Sequence, residues 1–329
     1  MKLLFVAVAA AALLGPAAAQ ANCTLATIQI PVKMQGLTPV VTAKLQGKPV
    51  KLILDSGSFF SYLDRNVAAQ LNLKPVTATE IGSLVPQAAG RQTEGVAGRA
   101  VMDGLVTAKS FEFAGASFSG AEFLTTGGFD HVSGLIGQNL LHYMDDEYDL
   151  KDGVVRLVKP RGCDAVELAY WAKAPMTYSM APLDTGDRRD PHTIITVEVN
   201  GVKLRAYLDT GAPTSFITAQ AAARAGVSTT GPGVTPAGFT HGLDHEPVRT
   251  WVGPFADIKI GDEEIKNTRL SIGESDTTTF DLLLGADFFL AHHVYVANSQ
   301  GKIYFTYSGG PVFRTADVAD AASGARPAD

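Results

Sequence analysis

The stretch Leu52-Ile53-Leu54-Asp55-Ser56-Gly57-Ser58 is written a second time, as Ala206-Tyr207-Leu208-Asp209-Thr210-Gly211-Ala212. Each copy is an apolar run that ends in a carboxylate, then a small hydroxyl residue, then glycine. A single Asp-Ser/Thr-Gly arises by chance in a chain of 329 residues about one time in seven, so three residues decide nothing. The flanks decide it. Thr38 to Val50 lies over His192 to Leu204 at the same offset of 154, with Gly47 on Gly201, and Ser61-Tyr62-Leu63 falls on Ser215-Phe216-Ile217. A second pair of motifs, Leu135-Ile136-Gly137-Gln138-Asn139-Leu140-Leu141 and Leu283-Leu284-Gly285-Ala286-Asp287-Phe288-Phe289, repeats at an offset of 148, with Gly153 on Gly301. The chain is therefore a duplicated unit, the second copy being shorter between its motifs.

Alternating apolar residues over Val40 to Leu45 and Val50 to Leu54 predict a hairpin turning at Gln46-Gly47; the second copy turns at Asn200-Gly201. Asp64 precedes a helical run, Arg65 to Leu73, and Thr218 precedes its counterpart, Ala219 to Ala225, which stops at Gly226. Residues 81–104 and 231–254 are rich in Gly and Pro and read as irregular, with short strands after them around Phe111 to Phe113 and Ala256 to Ile260. The expected organisation is an export signal over 1–21, a first unit over 35–160, a linker over 161–190, a second unit over 191–310 and a flexible tail over 315–329.

The net charge of −6, with no basic cluster, argues against a nucleic-acid partner. Lys2, the apolar run Leu3 to Leu14, the Gly15-Pro16 break and Ala17-Ala18-Ala19 have the order of a cleaved leader. An uncleaved anchor is the rival reading, but the run is short for a bilayer span. The expectation is an exported protein, periplasmic or secreted and bacterial, with no stable membrane span once the leader is removed. Cys23 and Cys163, the two cysteines of the chain, flank the first unit; in an exported protein an even pair reads as a disulfide.

A carboxylate loop, a helix and a second apolar-apolar-Gly strand, all duplicated, resemble the pepsin and retropepsin superfamily of aspartic proteases. The likeness spans roughly residues 35 to 310. It implies an all-β fold of two retropepsin-like β-barrel units with short helices, bilobal about a pseudo-two-fold axis. It also implies an aspartic endopeptidase acting on a peptide or protein substrate without a cofactor or metal. Asp55 and Asp209 would be the catalytic pair. Ser56, Gly57, Ser58, Thr210, Gly211 and Ala212 would support the loops, the Ser56 and Thr210 hydroxyls bracing each loop against the other. Mobile flaps would lie at Gly95 to Gly98 and Gly238 to Gly242.

Two aspartates at about 3 Å cannot both ionise, so the pair holds one proton and offers an acid and a base together. The copies differ at Ser58 against Ala212; a Ser58 hydroxyl donating to Asp55 would place the negative charge there and leave the proton on Asp209. Leu183-Asp184-Thr185-Gly186 is a third match, but no strand precedes it and it reads as a polar turn. His241 and His245 with His292 and His293 offer metal-ligand atoms, though solvated loop and strand-end positions suit them better. No zincin helix or Gly-x-Ser-x-Gly elbow is present. The units are expected to pair within one monomeric chain. Pairing between two chains, and a silent peptide-binding protein on the same fold, are the alternatives.

Overall fold

The computed structural model describes residues 23–76, 93–95, 98–100, 104–173, 176–184, 192–242 and 246–315. The expected leader, the tail beyond 315, the first flap tip at Val96-Ala97, Thr185-Gly186 and His245 lie outside the described residues. The fold is all-β, in two related units with four short helices among the described residues.

In the second unit the strand Ile194–Val199 turns into Val202–Leu208 through Asn200 and Gly201, whose positive φ of 47° and 80° gives the tight hairpin its twist. The sheet continues through Leu282–Leu284, Phe216–Thr218, Glu263–Gly273 and Pro247–Ile260, and the last of these pairs back with Ile194–Val199, closing a six-stranded barrel. The first unit follows the same path, through Thr38–Leu45, Lys48–Leu54, Gly134–Ile136, Tyr62–Asp64, Ala121–Thr126 and Gly104–Ala108. Its hairpin turns at Gln46 and Gly47, again both at positive φ.

Within each unit the two sequence motifs lie side by side. Gly134–Ile136 runs parallel to Lys48–Leu54, with Ile136 opposite Leu54, and Leu284 stands opposite Leu208 in the same way. Gly134–Ile136 and Leu282–Leu284 are buried on both faces, which is why they read as unbroken apolar runs. The helices are capped as their sequences require. Asp64 accepts from the Asn66 and Val67 amides, and Thr218 from the Ala221 amide. The first helix is shorter than expected, Arg65–Gln70, because Asn72 enters the left-handed region at the place where the second copy has Gly226.

Three features differ from expectation. The segment 231–254 is largely regular: Thr235–His241 pairs with the 14-residue strand Pro247–Ile260, whose alternate residues Val248, Thr250 and Val252 are buried. A six-stranded sheet joins the units, in the order Thr24–Pro31, Val154–Arg161, Asp145–Asp149, His292–Ala297, Lys302–Tyr307, Ser179–Pro182. Its last strand comes from the expected linker. The two units also do not keep separate cores, since one continuous apolar cluster runs from Ile30 through Leu208 to Phe305.

The centre of that sheet carries the pseudo-symmetry. Glu147 pairs with Tyr295, which is its own counterpart at the second-motif offset of 148, while Asp146 pairs with Val296 and Tyr148 with Val294. Glu147 thus meets its own copy, while Asp146 and Tyr148 each meet the copy of the other, as at an isologous dimer contact. At the sheet's edge Cys23 and Cys163 form a disulfide, with Cα atoms 4.6 Å apart. Among the described residues no helix is long and apolar enough to cross a membrane.

Candidate active site

The apolar strands Lys48–Leu54 and Val202–Leu208 each deliver an aspartate to the boundary between the units. The Asp55 amide donates to Ile136 O and the Asp209 amide to Leu284 O, both at 2.9 Å, so each carboxylate starts from a fixed strand end. Ser56 and Thr210 then lock the loops to each other. The Ser56 amide donates to Thr210 Oγ1 and the Thr210 amide to Ser56 Oγ, both at 3.0 Å. The hydroxyls in turn donate across the boundary, Ser56 Oγ to Leu208 O at 2.8 Å and Thr210 Oγ1 to Leu54 O at 2.6 Å. These four buried bonds satisfy both hydroxyls and leave no freedom for one loop to slide past the other.

The glycines explain how close the loops come. A Cβ on Gly57 would overlap the Asp209 carboxyl, and a Cβ on Gly211 would overlap the Asp55 carboxyl. Gly57 donates its amide to Asp55 Oδ1 at 3.0 Å, and Gly211 donates to Asp209 Oδ1 at 2.9 Å. The structure thus brings Asp55, Ser56, Gly57, Thr210, Gly211 and Asp209 into one buried cluster, with Ser58 and Ala212 at its rim.

Burial pushes both carboxyls above the ordinary carboxylate range. The neighbouring charge of Asp209 and the hydrogen bond to it push Asp55 further up. Asp209 is raised too, with the Ala212 amide, the hydrogen bond from Asp55, the Gly211 amide and the His192 side chain favouring its charged form, as the Gly57 and Ser58 amides do for Asp55. Two buried carboxyls this close cannot both ionise, so the pair holds one proton. The expectation drawn from Ser58 is not met. The Ser58 hydroxyl donates to Phe60 O at 2.8 Å, so its one proton is committed to the backbone; the amides at this position serve both carboxyls, Ser58 that of Asp55 and Ala212 that of Asp209 at 3.1 Å.

A second layer was not assigned in the sequence. Ser61 Oγ accepts the Gly137 amide and donates to Asn139 Oδ1, and Ser215 Oγ accepts the Gly285 amide and donates to buried Asp287 Oδ1. These bonds tie the second motif of each unit beneath its aspartate loop. The signal was available, because Ser61 and Ser215 coincide in the repeat. Tyr148, from the central sheet, is buried below the same loops with the Ser56 hydroxyl in hydrogen-bonding reach.

The other candidates are placed elsewhere. Gly95 and Gly98 pair across a two-stranded hairpin. Gly238 lies within the strand Thr235–His241 at an irregularity, with φ of 80°, and Gly242 follows that strand. Asp184 is held by its amide to Ile194 O and lies 3.8 Å from Arg205. The adjacent histidines are not solvated. His292 is buried between Phe288 O and Glu263, and His293 bonds Glu147 and stacks on Trp171. Among the described residues no group of three or more His, Cys, Asp or Glu is arranged to hold a metal ion.

A two-unit β fold with an aspartate loop from each unit defines a class, and comparison with known families gives its name. The family profile described as aspartyl protease matches residues 41–140 and again residues 195–288. The chain belongs to the aspartyl protease family. No curated protein matches the chain.

Proposed function

We propose that the protein is an exported aspartic endopeptidase that hydrolyses peptide bonds with a water activated by Asp55 and Asp209. Family membership supports a peptidase in general. The observation that carries the finer reading is the reciprocal approach of the two carboxyls, each against the glycine of the opposite loop. The disulfide and the leader-like first 21 residues support export.

In this reading ionised Asp209 takes a proton from the water while its oxygen attacks the scissile carbonyl carbon. Protonated Asp55 gives its proton to the carbonyl oxygen, yielding a neutral gem-diol. On collapse the proton held by Asp209 passes to the leaving nitrogen, the C–N bond breaks, and a hydroxyl proton returns to Asp55. The pair ends as it began. The apolar walls formed by Leu54, Leu208, Ile136 and Leu284 keep the dielectric low and strengthen each of these hydrogen bonds. As pH rises and the pair loses its last proton, the acid is missing and turnover falls.

The test is cleavage of an unbiased peptide library by mature protein from acid to neutral pH, with and without pepstatin. Asp55→Asn and Asp209→Asn should each lower kcat by about 10³-fold or more, and the double variant should be scarcely worse, since the two groups act as a unit. Glu112→Gln, at an exposed ion pair with Lys44, is the control. Wild-type turnover in either asparagine variant would end the shared-pair mechanism. Peptide binding without cleavage by any form would establish a binding protein instead.

A further inference from the structure

The two aspartates sit in matched loops, yet their strand neighbours are not matched. Val40 pairs with Ile53 in the first unit and Ile194 with Tyr207 in the second. The Leu208 amide donates to Thr193 O, which carries the second register one place further. One more step puts His192 opposite Asp209, where the first unit has Thr38 opposite Asp55. The imidazole is half-buried. It stacks on Tyr207 at 4.9 Å between centroids and meets the edge of Phe59, from the other unit, at 6.0 Å. Rings from both units therefore fix it at the boundary, at the register position of the second carboxylate.

We propose that His192 is a positioning residue that makes the two carboxylates inequivalent, its positive charge in acid holding the negative charge of the pair on Asp209. The inference rests on the shared-proton reading of the site given above. The field that Asp209 receives from this side chain is in the required direction. The other charged groups around the stack form a set of their own. The Arg205 guanidinium lies 5.4 Å from the Tyr207 ring centre and pairs with Asp184, while Asp281 accepts the Arg205 amide and pairs with Arg224. Tyr207 is neutral in this range, and Phe59 carries no charge.

The experiment follows the two carboxyls directly, by carbon NMR of protein labelled at the aspartate carboxyl, from about pH 2 to about pH 8. Asp55→Asn and Asp209→Asn assign the two signals. In the wild type the lower titration step should move chiefly the Asp209 signal. In His192→Thr, which installs the first unit's own residue, that step should rise by about half a pH unit or more and be shared more evenly. His192→Lys, a permanent cation, should keep the wild-type order, and it carries the test should His192→Thr fail to fold. A folded His192→Thr with unchanged steps, or a wild-type lower step that moves Asp55, overturns the proposal. The readout needs no turnover. Absence of peptide cleavage therefore counts against the peptidase reading, while an unmoved titration with cleavage intact counts against His192 alone.

Discussion

In the second unit the single strand Pro247–Ile260 closes the barrel; in the first the same side is built from Gly104–Ala108 and Phe111–Phe113, broken at Lys109-Ser110. The closing pairs correspond. Glu112 faces Lys44 in one and Lys259 faces Glu198 in the other, with opposite charges on the equivalent positions 44 and 198. The turn residue clamps the closing strand in both, Gln46 through Ser110 and Asn200 through Asp257. The comparison teaches that the contact recurs in both units while its polarity is reversed. At the aspartates the rule inverts: the Ser56 and Thr210 bonds are reciprocal, and what varies is the neighbour, His192 in one unit and Thr38 in the other.

The largest expected difference between the units comes from the disulfide, which loops the first unit only. Replacing both Cys23 and Cys163 with serine should lower the unfolding free energy by about 3–5 kcal/mol, read from urea denaturation. A loss below about 1 kcal/mol would mean that the sheet alone holds that edge.

The glycine contacts test the symmetry of the site. Gly57→Ala and Gly211→Ala each force the opposite carboxyl away, and each should reduce kcat/KM by about 10²-fold or more with folding retained. Equal losses sharpen the two-fold; wild-type turnover in one variant would break it.

Asp146 and its counterpart Val294 differ most in the central sheet. Asp146 is buried with neither carboxyl oxygen hydrogen-bonded, and burial, with the charge of Asp145, holds its proton affinity well above the ordinary carboxyl range. A group raised in this way contributes stability that is fully present below the unfolded value and is lost as pH rises through the folded one. Asp146→Val should therefore stabilise by about 1–3 kcal/mol at neutral pH and by less in acid. Thermal unfolding at two pH values checks the sign, and a gain that grows toward acid would refute it.

The smallest effect is expected at Ser58. Its hydroxyl serves Phe60 O, so Ser58→Ala should cost about 1 kcal/mol or less and leave the acidic limb of the pH–rate profile in place. A shifted limb would return the charge bias to Ser58.

Much of this was legible in the chain. Hairpins, caps and the side-by-side motifs follow from apolar alternation, Asn-Gly and Gln-Gly turns, and the matched Asp-Ser/Thr-Gly loops. The central sheet was hidden because its middle strand, Asp145-Asp146-Glu147-Tyr148-Asp149, has the composition of a loop. Partners elsewhere in the sheet satisfy two of its carboxylates, Ser299 and Tyr295 bonding Asp145 and Arg156 and His293 bonding Glu147, while Asp146 finds none. The strand Pro247–Ile260 was masked by Gly253-Pro254 in its middle. His192 was visible in the repeat, aligned on Thr38, yet its place opposite Asp209 depends on a register that only the folded hairpin fixes.

The pairing of Glu147 with Tyr295 also says something about descent. A seam centred on a residue that faces its own copy, with its flanks exchanged, is what a chain acquires by meeting itself, and a fused pair inherits it. Fusion frees the halves to diverge, and a charged triplet on one side of the seam against His293-Val294-Tyr295 on the other is the outcome. Separate expression of the two halves, cut in the connecting segment, should then give fragments that recombine through this seam into one complementing pair.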